Sequence, residues 1–371
     1  MSKIDFQEFA AEVARNPLGQ IARYKEKNHR MMGFLCSYVP EELVYAAGFI
    51  PLRLLGRATQ ISLADKHLQA YCCSQVRAFL EDYLQKEYED LEGVLFAQTC
   101  DTMQSFYDIF KKNFPDKFSF NFNFPCKVSG EAPFKYAKAE LARVRGELER
   151  FIGKPIEQQD INNAVRVYNR NRDLLDRLYL AHAANPDKIP SVTLLHAVMA
   201  SMFMDKKDIN KLLEDYVNRF DANGGPAAGR KKLMLVGSVN VNEDIYNAAD
   251  EYGAMIVDDD ICTGRRYFDG KVDAPNDEAM LRRYFERAHC PAKHRDLTSR
   301  GRYLTDLAKK SQADGVVFLY LKFCDPHAYD YPYIKDMLDQ AGVRHTHMEI
   351  EQSSAPSGQV RTKLQAFIET L

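Results

Sequence analysis

The chain lacks most of the signatures that assign a protein to a nucleotide, metal or membrane class. No G-x-G-x-x-G follows any of its apolar runs, and no G-x-x-x-x-G-K-[ST] occurs. A dinucleotide fingerprint and a nucleotide-hydrolysing loop are therefore absent, since both need glycines that let backbone amides approach a phosphate. No two of the eight cysteines stand three positions apart. That removes C-x-x-C zinc ribbons, thioredoxin-type motifs and the C-x-x-C-x-x-C ferredoxin run. No apolar run comes near the ~20 residues needed to span a bilayer. The N-terminus, MSKIDFQEFAAEVARNP, reads as a charged amphipathic helix without the apolar centre of a signal peptide. A formal net charge of −2 gives no electrostatic ground for binding nucleic acid. Neither nucleic acid nor membrane is expected as a partner, and a cytoplasmic location is. Disulfides are rare in that compartment, so the cysteines need another account. Taken singly, each is most simply a buried small hydrophobe.

What is present is an ordinary soluble composition, 46% hydrophobic and 27% charged, in 371 residues. That is enough chain for two or three domains with real cores. The stretch Gly315–Pro332, GVVFLYLKFCDPHAYDYP, begins as a buried strand and runs at Lys322 into a loop carrying Cys324 and His327. An earlier stretch, Gly93–Asp101, reads GVLFAQTCD. Both open with Gly-Val-x-Phe and close with Cys-Asp, with spacers that differ by two residues. Each is followed by a helix-like segment, a strand (Phe118–Phe124; His345–Glu351), a polar turn and another helix. This is the pattern of a diverged internal duplication, with a thiol at the same strand end in each half. In open α/β sheets, ligands bind beyond the carboxyl ends of the strands.

The remaining elements fill in around this repeat. Residues 1–30 read as helix, and Met31–Tyr38 and Phe49–Leu55 as strands. Pro40 opens a helix between them, where its missing N–H costs nothing. Glu41 and Glu42 follow in the first turn, where the helix dipole favours acids. Leu63–Glu87 reads as one helix containing Cys72 and Cys73. From Pro133 to about Asp221 the pattern is helical, with apolar residues at spacings of three and four. The run ANGGPAAG, Ala222 to Gly229, reads as a linker. A second α/β lobe starts at Lys231. In it Leu233–Val236, Glu243–Tyr252 and Ala254–Val257 form a βαβ unit that ends in a turn, Asp258–Asp260. Leu281–Ala308 reads as one basic helix. The expected fold is α/β: two Rossmann-like parallel-sheet lobes, residues 1–134 and 229–371, joined by a helical segment and linker, residues 135–228.

Cys100 and Cys324 lie at strand ends in separate lobes, and Cys73 precedes the strand that leads to Cys100. A thiol at a helix start has a lowered pKa and ligates metal better. Three such thiols converging between two lobes would suit an iron–sulfur cluster or a zinc ion. The segments CSYVPEELVYAAGFIPLRLLG (Cys36–Gly56), YCCSQVRAFLE, QTCDTMQ and KFCDPHAYDYP, with the tail EIEQSSAPSGQVRTKLQAF, run in order along nearly the whole chain. Together they resemble the 2-hydroxyacyl-CoA dehydratase and benzoyl-CoA reductase family. The resemblance implies a [4Fe-4S] cluster held between the lobes by Cys73, Cys100 and Cys324, with Cys73 preferred to Cys72 because Cys-Ser matches better. A double-cubane [8Fe-9S] cluster in a homodimer is the alternative.

The resemblance further implies a paralogous larger subunit, an ATP-hydrolysing iron–sulfur activator and an acyl-CoA substrate. A low-potential electron would reduce a thioester carbonyl or an aromatic ring. In some family members the shorter subunit's cluster relays electrons to the partner's. Glu41, Glu42 and His327 fall in family motifs near that cluster and are the expected proton-transfer residues. The bland readings are helix-start chemistry for the two glutamates and a backbone-bonded loop histidine for His327. Cys36, Cys126, Cys262 and Cys290 match no cluster motif and read as structural. The Asp258–Asp260 run reads as a turn, since a cluster needs sulfur ligands rather than oxygen.

Overall fold

Short apolar runs bounded by turn residues become the strands of two sheets, each of four strands and all parallel. The computed structural model describes residues 5–220, 229–287, 290–296, 298–351 and 358–371. The first sheet contains β1 (Met31–Phe34), β2 (Ile50–Arg53), β3 (Gly93–Ala97) and β4 (Phe118–Phe122), in the order β2-β1-β3-β4. The second contains β5 (Lys231–Gly237), β6 (Ala254–Asp260), β7 (Gly315–Leu321) and β8 (His345–Ile350), in the order β6-β5-β7-β8. The repeat read in the sequence thus extends to strand order. β1, β2, β3 and β7 are buried along their whole length, as strands covered on both faces must be.

Helices connect and cover the sheets. Around the first lie α1 (Phe6–Arg15), α2 (Pro17–Glu26), α3 (Glu41–Ala46), α4 (Ser74–Leu84) and α5 (Asp101–Asn113). Then come α6 (Glu131–Ile152), α7 (Gln158–Ala184), α8 (Val192–Phe203) and α9 (Lys206–Val217). The second half adds α10 (Glu243–Glu251), α11 (Arg265–Phe268), α12 (Asp277–Glu286), α13 (Ser299–Lys310), α14 (Asp325–Gln340) and α15 (Gly358–Thr370). The single N-terminal helix of the sequence reading is two, because Asn16 and Pro17 end one and start the next. The linker residues 222–228 and the polar turn at 352–357 lie outside the described residues. Among the described residues, no helix is long and apolar enough to cross a membrane.

Three further segments differ from the sequence reading, each for a traceable reason. The expected helix Leu63–Glu87 begins only at Ser74. Upstream, the buried Glu81 carboxylate accepts the amides of Ser62, Leu63 and Ala64 at 3.0, 2.8 and 2.8 Å, which holds that stretch as a loop against α4. The expected helix Leu281–Ala308 is split into α12 and α13, and Pro291, which cannot continue a helix, falls in the gap. The intervening segment docks on the first half of the chain. The amide of His294 donates to the carbonyl of Cys126 at 2.7 Å, and that of Val128 to the carbonyl of His294 at 2.8 Å. Finally, Asp258–Asp260 are not a turn: β6 runs through Asp260.

The long helix α7 ties the halves together. Its Arg172 pairs with Glu42 of α3, and its Tyr179 hydroxyl donates to Asp259 of β6. His182 of α7 meets the Ile256 carbonyl at 3.0 Å, and the Ser191 hydroxyl accepts the Ile256 amide at 3.0 Å. These side chains occupy backbone groups at the outer edge of β6 that would otherwise invite another strand. One apolar cluster runs without a break through both sheets and the helical segment, from Phe34 and Leu95 through Leu178 and Leu195 to Leu235 and Leu319.

Gly237 marks a close approach inside this core. A Cβ there would stand 2.1 Å from the Leu319 carbonyl oxygen of the neighbouring strand. Gly237→Ala should therefore lower unfolding free energy by about 2 kcal/mol or more. Gly146→Ala, in α6 with nothing within 4 Å of the new methyl, should raise it by about 0.5–1 kcal/mol. Denaturant unfolding of the two variants checks the pair; equal and small effects would contradict the packing described.

Candidate functional site

Each sheet changes direction after its first strand. β2 lies on one side of β1 and β3 on the other, as β6 and β7 flank β5. The crevice at such a reversal is where open α/β sheets bind ligands. Both β3 and β7 end beside it. Cys100 stands three residues beyond Ala97, and Cys324 three beyond Leu321, so the two-residue difference in spacer length is absorbed by the longer strand. Each cysteine is the N-cap of the next helix, α5 and α14 respectively. Cys73 is the N-cap of α4, whereas the neighbouring Cys72 is not. Phe323, just before Cys324, holds φ at +64°, a left-handed conformation that strains an aromatic residue.

The three thiols feel one another. Burial pushes Cys324 well up from its ordinary value; the Cys73 and Cys100 thiols add to the rise, and the His327 amide opposes it. Burial also lifts Cys100 to about 11, against the pull of the Met103 amide and with further push from Cys73 and Cys36. Cys73 is raised by burial and opposed by the amides of Val76 and Gln75, with Cys72 and the Asp325 carboxylate of α14 adding to the rise. The same arrangement thus recurs three times, a thiol beside the first amides of a helix. The sequence reading expected a lowered pKa at such a helix start. Burial outweighs the helix terminus, so each thiol is raised in the chain as it stands. All eight cysteines are free. Among the described residues, no three His, Cys, Asp or Glu side chains are already close enough together to hold a single metal ion.

Glu41 and Glu42 are placed otherwise, in a buried ionic network at the start of α3. They are 5% and 1% exposed. Burial works against the charge of Glu42, but Arg172 and Arg283 outweigh it and hold the carboxyl at about 2. Glu41 is raised by burial, although Lys206 lies 3.7 Å away and the Tyr267 hydroxyl donates to it at 3.0 Å. His327, in the first turn of α14, is buried against the Tyr320 ring. Burial, Arg266 and Arg300 hold its imidazole far below the ordinary value, so it is neutral at pH 7. Each aspartate of the Asp258–Asp260 run has a protein partner. Asp258 pairs with Arg265, Asp259 accepts from Tyr179 and the Arg265 amide, and Asp260 pairs with Arg266 and Arg300.

A second group of buried side chains has no counterpart in the sequence reading. Lys293, in the segment between α12 and α13, donates to the carbonyls of Gln98 and Phe124, both at 2.8 Å. Gln98 belongs to the loop that carries Cys100. Arg287, at the end of α12, lies 4.1 Å from the Tyr38 ring centre and reaches the Ser37 hydroxyl at 3.2 Å. The clue available in the sequence was Cys290-Pro291, which interrupts any helix through Leu281–Ala308. A cavity of about 860 Å³ lies elsewhere, between α7, β6 and α13. It is lined by Tyr179, Asp258 and Arg265 among others, and by none of the six expected site residues.

Fold and site define a class: an α/β protein of two four-stranded parallel sheets that presents helix-capping thiols beyond the carboxyl ends of β3 and β7. Residues 36–371 match the family described as 2-hydroxyglutaryl-CoA dehydratase, D-component. The chain belongs to that family, whose members here are dehydratase and reductase subunits. It is 27% identical to the (R)-phenyllactyl-CoA dehydratase beta subunit of Clostridium sporogenes over 362 residues, 97% of each chain. It is 28% identical to the lactoyl-CoA dehydratase subunit beta of Anaerotignum propionicum, again over 97% of each. A benzoyl-CoA reductase subunit of Thauera aromatica is 25% identical over 93% of this chain and 92% of its own.

The Glu42–Arg172 pair generates a prediction. Removing one partner of a buried ion pair leaves the other charge uncompensated, which costs roughly 3–5 kcal/mol. Glu42→Gln should lower stability at pH 7 by that order. The folded carboxyl, near 2, lies below its ordinary 4.5. Its contribution is therefore full above about pH 4.5 and is lost as pH falls toward 2. The gap between variant and wild type in urea unfolding should narrow over that window; a gap that widens there would contradict the assignment.

Proposed function

We propose that this chain is the smaller, cluster-bearing subunit of an activator-dependent acyl-CoA enzyme, of the 2-hydroxyacyl-CoA dehydratase or benzoyl-CoA reductase kind. Cys73, Cys100 and Cys324 are the ligands of a [4Fe-4S] cluster in this reading. The observation that carries it is the trio of mutually repelling, helix-capping thiols, two of them at the corresponding strand ends of the repeated lobes. The donor set fits such a group. The thiols stay protonated because burial and mutual repulsion oppose their charge, and a cationic iron core offsets both costs while the helix termini favour the thiolates. When bound, the cluster supplies one-electron chemistry at low potential. Three cysteines leave one of its irons without a protein thiolate.

The rest of the chain positions that donor set. β3 and β7 deliver Cys100 and Cys324, α4 delivers Cys73, and α7 fixes the halves through Glu42–Arg172 and Tyr179–Asp259. The burial and pairing of Glu41 and Glu42 support a role in that bracing more than in moving protons. His327, held neutral beside the Cys324 loop, is a poor proton acceptor and retains only its ring N–H to give. Residues 1–134 and 229–371 are the two lobes, with 135–228 between them and the cluster in the cleft. Relatives named as beta subunits support a partner subunit, in this reading a larger paralogue of the chain. The missing phosphate loop leaves ATP hydrolysis to a separate activator. Unpaired thiols accord with a reducing, cytoplasmic setting.

Anaerobic purification should give a brown protein with about four irons and four sulfides per chain. Cys73→Ser, Cys100→Ser or Cys324→Ser should abolish that content, and Cys126→Ser, at an exposed position, should leave it unchanged. A colourless protein with one zinc, or iron lost from the Cys126 variant, would sink the ligand assignment. Turnover of an acyl-CoA should need the partner chain, the activator and ATP together. A self-sufficient homodimer reducing small molecules would point to the double-cubane alternative.

A further inference from the structure

The repeat of the two sheets leaves one place filled in the first half of the chain and open in the second. In the first sheet, α2 lies over the edge strand β2. Its Ile21 and Tyr24 share a buried apolar cluster with Met31 of β1 and with Ile50 and Leu52 of β2. The fit is close: the space left there, lined by Ile21 and Leu52 among others, is about 10 Å³.

Strand register gives the matching place in the second sheet. Gly93 of β3 pairs with Met32 of β1, and Gly315 of β7 with Leu233 of β5. Met31 therefore corresponds to Lys232. Met31 pairs with Ile50, and Lys232 with Met255 of β6. Met255 and Val257 thus stand where Ile50 and Leu52 do, and both line the cavity of about 860 Å³ between α7 and α13. Among the described residues, no helix lies over them as α2 lies over β2. Leu180, on the wall of this groove, is 59% exposed. Two turns of an α-helix, about 10 Å across and about 11 Å long, occupy roughly 850 Å³, a volume of the same order.

Charge shows what kind of occupant fits. Near the end of β6, Asp258 and Asp176 share Arg265 at 2.5 and 3.0 Å, and Asp269 stands nearby. Near the starts of β5 and β6 stand Lys310 and Lys232, the latter donating to the Gln312 side chain at 3.1 Å. Counting Asp306, carboxylates in the lining outnumber cations, so it does not suit the phosphates of a coenzyme or nucleotide. The direction of a helix in this place follows from α2. Lys25, in its last turn, pairs with Asp90, three residues before Gly93. Gln312, three before Gly315, lines the groove. A helix running that way points its positive N-terminal end at the aspartates and its negative C-terminal end at the two lysines.

We propose that the groove between α7 and α13 is a docking site for an amphipathic helix of another protein. The occupant carries apolar side chains three positions apart on the face it buries, and acidic residues in its last turn. The proposal stands apart from the cluster reading, because it uses none of the thiols.

The test follows fluorescence anisotropy of labelled peptides titrated with the full chain. One probe is residues 16–27, NPLGQIARYKEK, stapled between positions 22 and 26, which are exposed in α2. The other is the same peptide carrying Arg23→Glu and Lys25→Glu. The acid-tailed peptide should bind saturably, one per chain, and roughly threefold or more tighter than the unmodified one. In the chain, Leu180→Glu should weaken it by about tenfold or more, and Lys310→Glu should reverse the order of the two peptides. Ile21→Asp in the acid-tailed peptide should abolish binding, a result that leaves the chain itself unaltered. An absence of saturation up to about millimolar concentration would overturn the proposal. Equal affinity of the two peptides would do the same, as would an Ile21→Asp peptide or a Leu180→Glu chain that binds like its parent. A chain that sediments as a dimer and is dissociated by Leu180→Glu would assign the groove to a second copy, and that too would overturn it.

Discussion

Burial of charge is the constraint around which the rest of this molecule is arranged. The two sheets are covered on both faces, so polar groups that must sit at their carboxyl ends are removed from water. Every such group then needs a partner from another part of the chain. Glu42 finds Arg172 from α7, Asp260 finds Arg266 and Arg300, and Asp259 finds Tyr179. Such pairs are expensive to assemble and costlier to break, and two of these contacts, Glu42–Arg172 and Asp259–Tyr179, join α7 to the two halves of the chain. The thiols at the same strand ends are instead kept neutral by burial.

The doubling of the lobe explains why the thiols come in corresponding places. One strand order, repeated, generates two crevices with a helix N-terminus at each, and a cysteine at the N-cap of β3's helix has its counterpart after β7. The third thiol breaks the correspondence. Cys73 comes from the β2–β3 connection of the first half, where Glu81 holds a loop in place and lets α4 begin late. The outcome is an asymmetric set of helix-capping thiols on a near-symmetric frame.

Helix termini and burial oppose each other at these thiols, and their balance gives the site its character. The terminal amides of α4, α5 and α14 favour thiolate, yet removal from water and the neighbouring thiols favour the neutral form. A thiol held in this way is a poor free nucleophile but a ready ligand for a cation, which tips the balance at once.

Much of this was legible in the sequence, because it depends on local pattern. Runs such as GVLFA and GVVFL specify buried strands through continuous apolar, β-branched character, and Cys-Asp after each marks where the strand gives way to a helix. The position of Pro40 and the alternation of strands with helical periods were sufficient for two parallel sheets with helices between. Family motifs drew attention to Cys73, Cys100 and Cys324, and the structure makes each of them the N-cap of a helix. What tertiary structure decided is everything that depends on partners distant in sequence. Nothing near Glu42 announces Arg172, 130 positions away, or shows that the pair is buried. The sign of the thiol pKa shifts reversed because burial, which no helix start reveals, exceeded the dipole. The segment holding Lys293 read as part of a long helix until Pro291 and its docking on Cys126 and Val128 set it apart. Local sequence specifies backbone conformation at short range; the free energy of a buried charge depends on what the rest of the chain brings beside it.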